Sequence, residues 1–239
     1  MRIGIAGCGL IGGSLALALR DDHDVRAYDP AGTGDIRSVP RLDELLPADA
    51  VIVATPLAEI VPTLGALAAR SGGTLLLDVG SLKRDVEAFA RTAPESCVIV
   101  GGHPMAGTTE RGYRAARGDL FRGRPFFLVA TARSDPSAMA AAGDLARSIG
   151  AVPTVVSAVE HDRIVAILSG LPLAVALALA RTGADVSEFA GPGFRDATRL
   201  AGTPPELASA LLNGNAAEVR AALIRFRAEL DLVERELDG

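Results

Sequence analysis

Histidine is the side chain whose ordinary pKa best suits acid–base chemistry at neutral pH, and this sequence contains three. His23 lies in the polar run Asp21–Asp24, which is typical of a solvated turn. His161 stands at the start of a helical region, where a capping or interdomain role is the simplest interpretation. His103 follows an apolar run and two glycines and is fixed by Pro104. For His103 a catalytic role and a structural role both stay open.

A glycine-rich turn near the amino terminus predicts a second kind of chemistry, the binding of a pyrophosphate. The run from Gly7 to Gly12, GCGLIG, matches G-x-G-x-x-G and lies between an apolar run and a helical pattern. Its glycines permit a tight turn, a close approach of the backbone to the phosphates, and close packing of the helix on the strand. The amino terminus of that helix offers free N–H groups to an anion.

The next predicted strand, Val25–Tyr28, ends at Asp29. A carboxylate at this place accepts hydrogen bonds from a ribose 2′-OH and repels a 2′-phosphate, so we predict NAD rather than NADP as the cofactor. The predicted cofactor contacts are Gly7, Gly9, Leu10, Ile11, Gly12, Asp29, Ala54, Thr55 and Asp78.

Ser81 closes the run DVGS, directly after another apolar stretch. Its hydroxyl could bond to His103 and fix the imidazole tautomer, or it could contact the nicotinamide amide. The same hydroxyl could instead cap the helix predicted over Leu82–Arg91. These roles are compatible, and the sequence leaves all of them open.

Apolar runs alternate with helical patterns over residues 1–156, which predicts an α/β domain with a Rossmann-type doubly wound parallel sheet. Ligands of such sheets bind beyond the carboxyl ends of the strands. We therefore expect the polar residues after the strands to meet at one edge. The strands after Val25–Tyr28 are predicted over Asp49–Pro56, Thr74–Leu77, Cys97–Val100, Arg124–Val129 and Ala151–Val156.

Residues 157–239 show helical runs alone and predict a smaller all-helical domain. Ile164–Ala180 is apolar but short and is interrupted by glycine and proline, so we expect a buried helix rather than a membrane span. The last run carries an apolar seam that packs either on its own domain or on a second subunit. Together these runs favour a homodimer. The seam consists of Val219, Leu223, Phe226, Leu230, Val233 and Leu237.

The composition narrows the function classes. The chain has 239 residues, of which 49% are hydrophobic, enough for one large or two modest cores. A formal net charge of −5 argues against a nucleic-acid partner. The two cysteines, Cys8 and Cys97, imply neither a disulfide framework nor a metal site, and they fit a reducing cytoplasm.

The chain resembles the prephenate/arogenate dehydrogenase family in the order and spacing of six segments. The resemblance runs from Met1 to about Asn215, and GGHPMAGT with an upstream DVGS is its most specific part. It implies a Rossmann domain, a helical dimerisation domain, and oxidative decarboxylation of a cyclohexadiene acid on the route to tyrosine. The six segments are GCGLIGGSLALAL, AVIVATP, DVGSLK, GGHPMAGT, HDRIVAILSGLP and GFRDATRLAGTPP.

The resemblance implies that His103 is the catalytic histidine, Ser81 its serine partner and Arg199 a substrate-binding arginine. Asp196 and Thr109 fall on further substrate positions. The chemistry of the side chains agrees, because a neutral imidazole can accept a hydrogen bond from the C4 hydroxyl of prephenate as C4 gives up hydride. Arginine suits carboxylate capture, since its fork is planar and always charged.

Three departures from the family pattern concern the substrate. The family motif SHLPH is replaced by SGLPL at Ser169–Leu173, so both of its histidines are missing. The glutamate that follows HPMAGT falls on Thr109, with Glu110 one step later, and the chain has no tryptophan. The preference between prephenate and arogenate therefore stays open. The sequence up to Gly239 leaves no room for a regulatory ACT domain, and we expect none.

Two other functions compete with this interpretation. A reductase of the β-hydroxyacid dehydrogenase type would need a catalytic lysine in the helical domain, and no lysine follows Lys83. A non-catalytic NAD-binding regulator is suggested by SGLPL but opposed by the presence of His103, Ser81 and Arg199. The sequence favours an NAD-dependent prephenate dehydrogenase, with arogenate as the alternative substrate.

Overall fold

The computed structural model describes residues 1–107 and 110–237, and in this part of the chain seven strands form one sheet. They are β1 (Arg2–Ala6), β2 (Asp24–Tyr28), β3 (Ala50–Val53), β4 (Leu75–Asp78), β5 (Val98–Pro104), β6 (Pro125–Ala130) and β7 (Val152–Val155). In space they follow the order β2-β1-β3-β4-β5-β6-β7, and β1 to β5 run parallel. The order reverses between β1 and β3, which is where doubly wound sheets bind ligands.

Helices cover both faces of this sheet. Along β3, Ala50 and Ile52 pack in the core layer that contains α1 and α4, whereas Val51 and Val53 pack in the layer of α2 and α3. Because side chains alternate along a strand, a strand buried on both faces is apolar throughout, as the sequence pattern indicated. These helices are α1 (Leu10–Leu19), α2 (Leu57–Ala68), α3 (Arg84–Thr92) and α4 (Pro136–Ser148).

The sheet departs from the predicted all-parallel arrangement at β6, which pairs antiparallel with β5. A parallel partner needs a crossover connection, usually a helix, but the described residues between these strands form only a 3₁₀ turn at Tyr113–Ala115. Strand β6 supplies hydrogen-bonding partners beyond the end of β4 and places Phe127 opposite His103. His103 therefore lies within β5, not after it as the sequence predicted.

By internal contacts the chain divides into two compact units, Met1–His161 and Asp162–Gly239. The domain boundary proposed from the sequence, between residues 156 and 157, lies just before this division and stays a prediction. The described residues after β7 form helices and no strand. These are α5 (Ala158–Val165), a π-helical turn (Ala166–Gly170), α6 (Leu171–Thr182), α7 (Pro192–Thr198), α8 (Pro205–Asn213) and α9 (Ala216–Leu237), with 3₁₀ turns at Ala184–Phe189 and Arg199–Gly202.

The helical run Ala158–Thr182 is apolar and long enough to cross a membrane by length and composition, and 28% of its most apolar stretch is buried within the chain. Within the single chain the run is only partly buried, and the predicted burial, which was linked to a homodimer, stays a prediction. The run packs along one side only, where Leu173 and Ala176 are buried, while Leu168 is 61% exposed. An apolar face is left uncovered.

The apolar seam on α9 is divided in the same way. Val219 is buried beside the π-helical turn, and Leu223 is half-buried. Farther along the helix, Leu230, Val233 and Leu237 are exposed. The first half of the seam therefore packs on its own unit, and the second half remains open.

Candidate active site

The glycine loop between β1 and α1 has the geometry that a pyrophosphate requires. Gly7 has a φ of +91°, and a Cβ there would lie 2.7 Å from the backbone of Ala54. A Cβ on Gly12 would lie 1.9 Å from the carbonyl oxygen of Gly7, whereas one on Gly9 would meet nothing within 4 Å. No side chain caps α1 at Gly9, so its first N–H groups can bind phosphate oxygens.

Asp29 ties this loop to the end of β2. Its carboxylate accepts hydrogen bonds from the backbone N–H of Cys8 and of Ala31, both at 2.7 Å. A carboxylate has about four lone-pair sites, so acceptor capacity remains for ribose hydroxyls. Thr55 adds a buried hydroxyl oxygen that has no hydrogen-bond partner within the described ranges. These residues fit a dinucleotide, and the predicted contacts Leu10, Ile11 and Ala54 are only partly buried around the loop.

Asp78, one of the predicted cofactor contacts, takes part in a buried ion pair. Its side chain is completely buried at the end of β4 and forms an ion pair with the equally buried Lys83. The backbone N–H of Gly80 also donates to it, at 2.8 Å. The carboxylate neutralises Lys83, and its predicted contact with a cofactor stays a prediction. Gly101 leaves the room for this lysine, because a Cβ there would lie 3.0 Å from Lys83 Cδ.

The catalytic candidate His103 is paired with a second buried histidine. Nδ1 of His103 lies 2.9 Å from Nε2 of His161, and the two rings meet edge to face with centroids 5.1 Å apart. Phe127 packs perpendicular to His161 at 5.4 Å. The exposed fractions are 8% for His103 and 0% for His161. Sequence reasoning missed this pair because it treated His161 as a capping or interdomain residue.

The surroundings of His103 keep its imidazole neutral. Burial lowers the pKa of His103 well below the usual 6.5, and the neighbouring His161 and the Lys83 ammonium lower it further. A neutral imidazole has one protonated and one unprotonated nitrogen. Because Nδ1 is engaged by His161, Nε2 is the nitrogen left to meet a substrate.

Arg199 and Asp196 are exposed side chains of the second unit. Arg199 directly follows α7 and keeps helical backbone angles, φ −51° and ψ −41°. Within the described residues it forms no ion pair, so its guanidinium is available to an external carboxylate. Thr109, the remaining predicted substrate contact, lies outside the described residues.

Comparison with known proteins decides the family. The family model "Prephenate dehydrogenase, nucleotide-binding domain" matches residues 14–155, and "Prephenate dehydrogenase, dimerization domain" matches residues 157–238. The chain belongs to the prephenate dehydrogenase family. This confirms the family expected from the segments around the glycine loop, Ser81 and His103.

Three proteins named prephenate or arogenate dehydrogenase are similar to this chain in sequence or in structure. The prephenate dehydrogenase of Bacillus subtilis (strain 168) is 33% identical over 227 residues, and the match covers 85% of this chain but only 61% of that protein. The solved arogenate dehydrogenase of Synechocystis is 28% identical, with a TM-score of 0.85 over all of this chain and 92% of that one.

The prephenate dehydrogenase of A. aeolicus, solved in complex with hydroxyphenyl propionate and NAD+, is 25% identical. Its TM-score is 0.88 over 99% of this chain and 92% of that one. A Rossmann-type nucleotide-binding domain followed by a helical domain is thereby confirmed.

Ser81 is the family position on which the structure differs from expectation. Helix α3 begins at Arg84 with Lys83 as its N-cap, so the predicted cap by Ser81 on a helix from Leu82 is wrong. In the described part of the chain no hydrogen bond joins Ser81 to His103, whose Nδ1 faces His161. A contact of Ser81 with His103 or with the nicotinamide stays a prediction.

The substitution of the family motif SHLPH by SGLPL has a physical counterpart in the packing. Gly170 has helical backbone angles in the π-helical turn, and a Cβ there would lie 2.7 Å from Val219 Cγ2. Leu173 is 3% exposed. Val219 occupies the space that a side chain at residue 170 would need, so both former histidine positions are apolar packing positions in this chain.

Proposed function

We propose that this chain catalyses the NAD-dependent oxidative decarboxylation of prephenate to 4-hydroxyphenylpyruvate in the synthesis of tyrosine. The observation that carries the proposal is the buried, neutral His103, whose Nε2 is left for a substrate at the sheet edge that bears the glycine loop. Arogenate is the alternative substrate, because relatives of similar likeness carry both names.

In the proposed reaction, one set of residues binds the cofactor and His103 contacts the substrate. The glycine loop and the amino terminus of α1 would hold the pyrophosphate and Asp29 the ribose, and NAD when bound supplies the hydride acceptor. His103 Nε2 accepts a hydrogen bond from the C4 hydroxyl while hydride leaves C4. The bond from C1 to the ring carboxylate breaks, its electron pair completes the aromatic ring, and CO2 departs. The hydroxyl proton ends on the phenol, so the reaction takes no net proton from His103.

Arg199 is proposed to bind a carboxylate of the substrate. Its exposed guanidinium has no ion-pair partner within the described residues, and a planar fork matches a carboxylate with two parallel hydrogen bonds. Asp196 lies in α7, the helix that Arg199 follows, and is proposed as a further contact together with Thr109.

A homodimer formed by the second unit belongs to the same proposal. Large apolar side chains of this unit are exposed, among them Phe189 at 80%, Ile224 at 61% and Leu237 at 82%. A second copy would cover them, and the matching family domain is described as a dimerization domain. A monomer in light scattering at micromolar concentration would contradict the dimer.

Placement in the cytoplasm is supported by the two free, buried cysteines, Cys8 and Cys97.

The test is a spectrophotometric assay of NADH formation with purified protein. Prephenate and arogenate are each offered with NAD and then with NADP. We expect turnover of prephenate with NAD, a loss of turnover in His103→Asn, and normal turnover in His23→Asn, which removes a histidine from a surface turn. Absence of reduced cofactor with either substrate would contradict the proposed function.

A further inference from the structure

The hydrogen bond between His103 and His161 has a direction that matters for catalysis. At 2.9 Å, one of the two facing nitrogens carries a proton and the other does not. Either His103 Nδ1 donates to His161 Nε2, or His161 Nε2–H donates to His103 Nδ1. The choice decides what the opposite nitrogen of His103 presents to a substrate.

If Nδ1 of His103 donates, the neutral ring carries its lone pair on Nε2 and can accept a hydrogen bond from the C4 hydroxyl. If Nδ1 accepts, Nε2 carries the proton and presents a donor. Positive charge develops at C4 and its hydroxyl as hydride leaves, so an acceptor stabilises the transition state and a donor opposes it. Only the first direction serves the proposed reaction.

We propose that His161 is a positioning residue that accepts the Nδ1 proton of His103 and so holds His103 in the tautomer with an acceptor at Nε2. This inference rests on the proposed function, since the reaction selects the direction of the hydrogen bond.

The packing around His161 suits a residue that orients another. Its ring is 0% exposed and perpendicular to Phe127, and it lies in the first turn of α5, where its backbone N–H donates to Ser157 O at 2.8 Å. His103 is held by the pairing of β5 with β6, directly opposite Phe127. Both rings are thus fixed by backbone and packing, and a partner on the far nitrogen sets the tautomer of a functional histidine.

The nearest cation favours a neutral His103. Lys83 is the cation that acts on His103, and its ammonium opposes a second proton on the imidazole. Asp78 forms an ion pair with that lysine within the core. Because His103 is neutral and in contact with a second imidazole, the direction of this hydrogen bond decides which nitrogen of His103 carries the proton.

Two substitutions at His161 distinguish a role in orienting His103 from a role in filling space in the core. His161→Gln places an amide oxygen near the position of Nε2 and can still accept the Nδ1 proton, whereas His161→Phe keeps a ring of similar size without an acceptor. We expect His161→Phe to lower kcat about 10- to 100-fold, the usual cost of losing an orienting partner, with KM for prephenate and for NAD near wild type. His161→Gln should retain most of kcat. Equal losses in the two variants, or no loss in His161→Phe, would overturn the inference.

The tautomer can be read directly by long-range proton–nitrogen NMR correlations on nitrogen-15-labelled protein. The chain has three histidines, and His23→Gln identifies the surface one. We expect His103 protonated at Nδ1 in the wild type and in His161→Gln, and a shift toward Nε2 protonation in His161→Phe. Nε2 protonation in the wild type would overturn the inference even in an active enzyme. An inactive wild type with Nδ1 protonation would contradict the proposed function and leave the assigned direction standing.

Discussion

Replacement of Asp29 by asparagine is expected to loosen the glycine loop and to weaken the preference for NAD. The carboxylate accepts two backbone N–H groups, from Cys8 and from Ala31, each at 2.7 Å. Asparagine offers one carbonyl oxygen in place of two carboxylate oxygens, so one N–H loses its acceptor. Hydrogen bonds to charged groups contribute about 1.5–3 kcal/mol, and allowing for the partial exposure of Asp29 we expect a loss of about 1–2 kcal/mol in unfolding free energy.

The effect on the cofactor follows from the removed charge. In the wild type a carboxylate at the ribose position should favour NAD over NADP about 100-fold in kcat/KM, equivalent to about 2.7 kcal/mol. Asp29→Asn no longer repels a 2′-phosphate, so this ratio should fall about tenfold or more. Most of the change should appear as a lower KM for NADP. The assay compares kcat/KM for the two cofactors at saturating prephenate.

Asp49→Asn is the matched control. Asp49 also accepts a backbone N–H at 2.7 Å, from Arg2, but at the opposite, amino-terminal edge of the sheet. The substitution removes the same charge and weakens the same kind of hydrogen bond, and it should leave the cofactor ratio unchanged. Equal efficiency of the wild type with both cofactors, or an equal shift of the ratio in Asp49→Asn, would refute the role assigned to Asp29.

Four further predictions concern the reaction and the packing. Wild-type kcat/KM should stay level as pH falls through 6.5 and decline only in stronger acid, because burial and Lys83 hold the pKa of His103 low, and the protonated imidazole cannot accept a hydrogen bond. His103→Asn should lose about 10²–10⁴-fold in kcat; an acidic limb that persists in this variant would place the chemistry elsewhere. Arg199→Ala should raise KM for prephenate about 10- to 100-fold and spare NAD affinity. Replacement of Arg195, an exposed arginine within α7, by alanine is the control and should change little. A loss of NAD binding in Arg199→Ala would contradict this. Gly170→Ala should destabilise the fold by about 1–3 kcal/mol in urea unfolding, because its Cβ would lie 2.7 Å from Val219, and Val219→Ala should remove most of that penalty; additive losses would show that the contact is not the cause.

The parts of the fold that could be predicted from the sequence are those in which pattern and structure are local. Strand β3 is buried on both faces, so its residues are all apolar and its existence shows in the sequence alone. The direction of β6 could not be predicted, because an apolar run carries no information on which way it pairs. The extension of β5 to Pro104 follows from that pairing and was hidden for the same reason.

In the candidate site, too, the local motif could be predicted from the sequence and the long-range contacts could not. The glycine loop and Asp29 form a local motif whose spacing is set by one strand–helix–strand unit. The pairing of His103 with His161 joins residues 58 positions apart and depends on where β7 delivers the chain into α5. Lys83 was missed for another reason. Lysine is almost never fully buried without a partner, so a lone lysine in a sequence is normally interpreted as a surface residue.

The two glycines before His103, Gly101 and Gly102, leave space for the buried residues around the Lys83–Asp78 ion pair. A Cβ on Gly101 would meet Lys83 at 3.0 Å, and one on Gly102 would lie 2.7 Å from Asp78 O and 2.9 Å from Phe126. Without side chains at these positions, β5 can lie close to β4 and β6 while the Lys83 ammonium stays near His103. The dipeptide that precedes His103 therefore shapes the electrostatic surroundings that keep its imidazole neutral. In the sequence Gly-Gly-His, Gly101 makes room for the cation that acts on His103, and Gly102 lets β5 pack closely against β4 and Phe126.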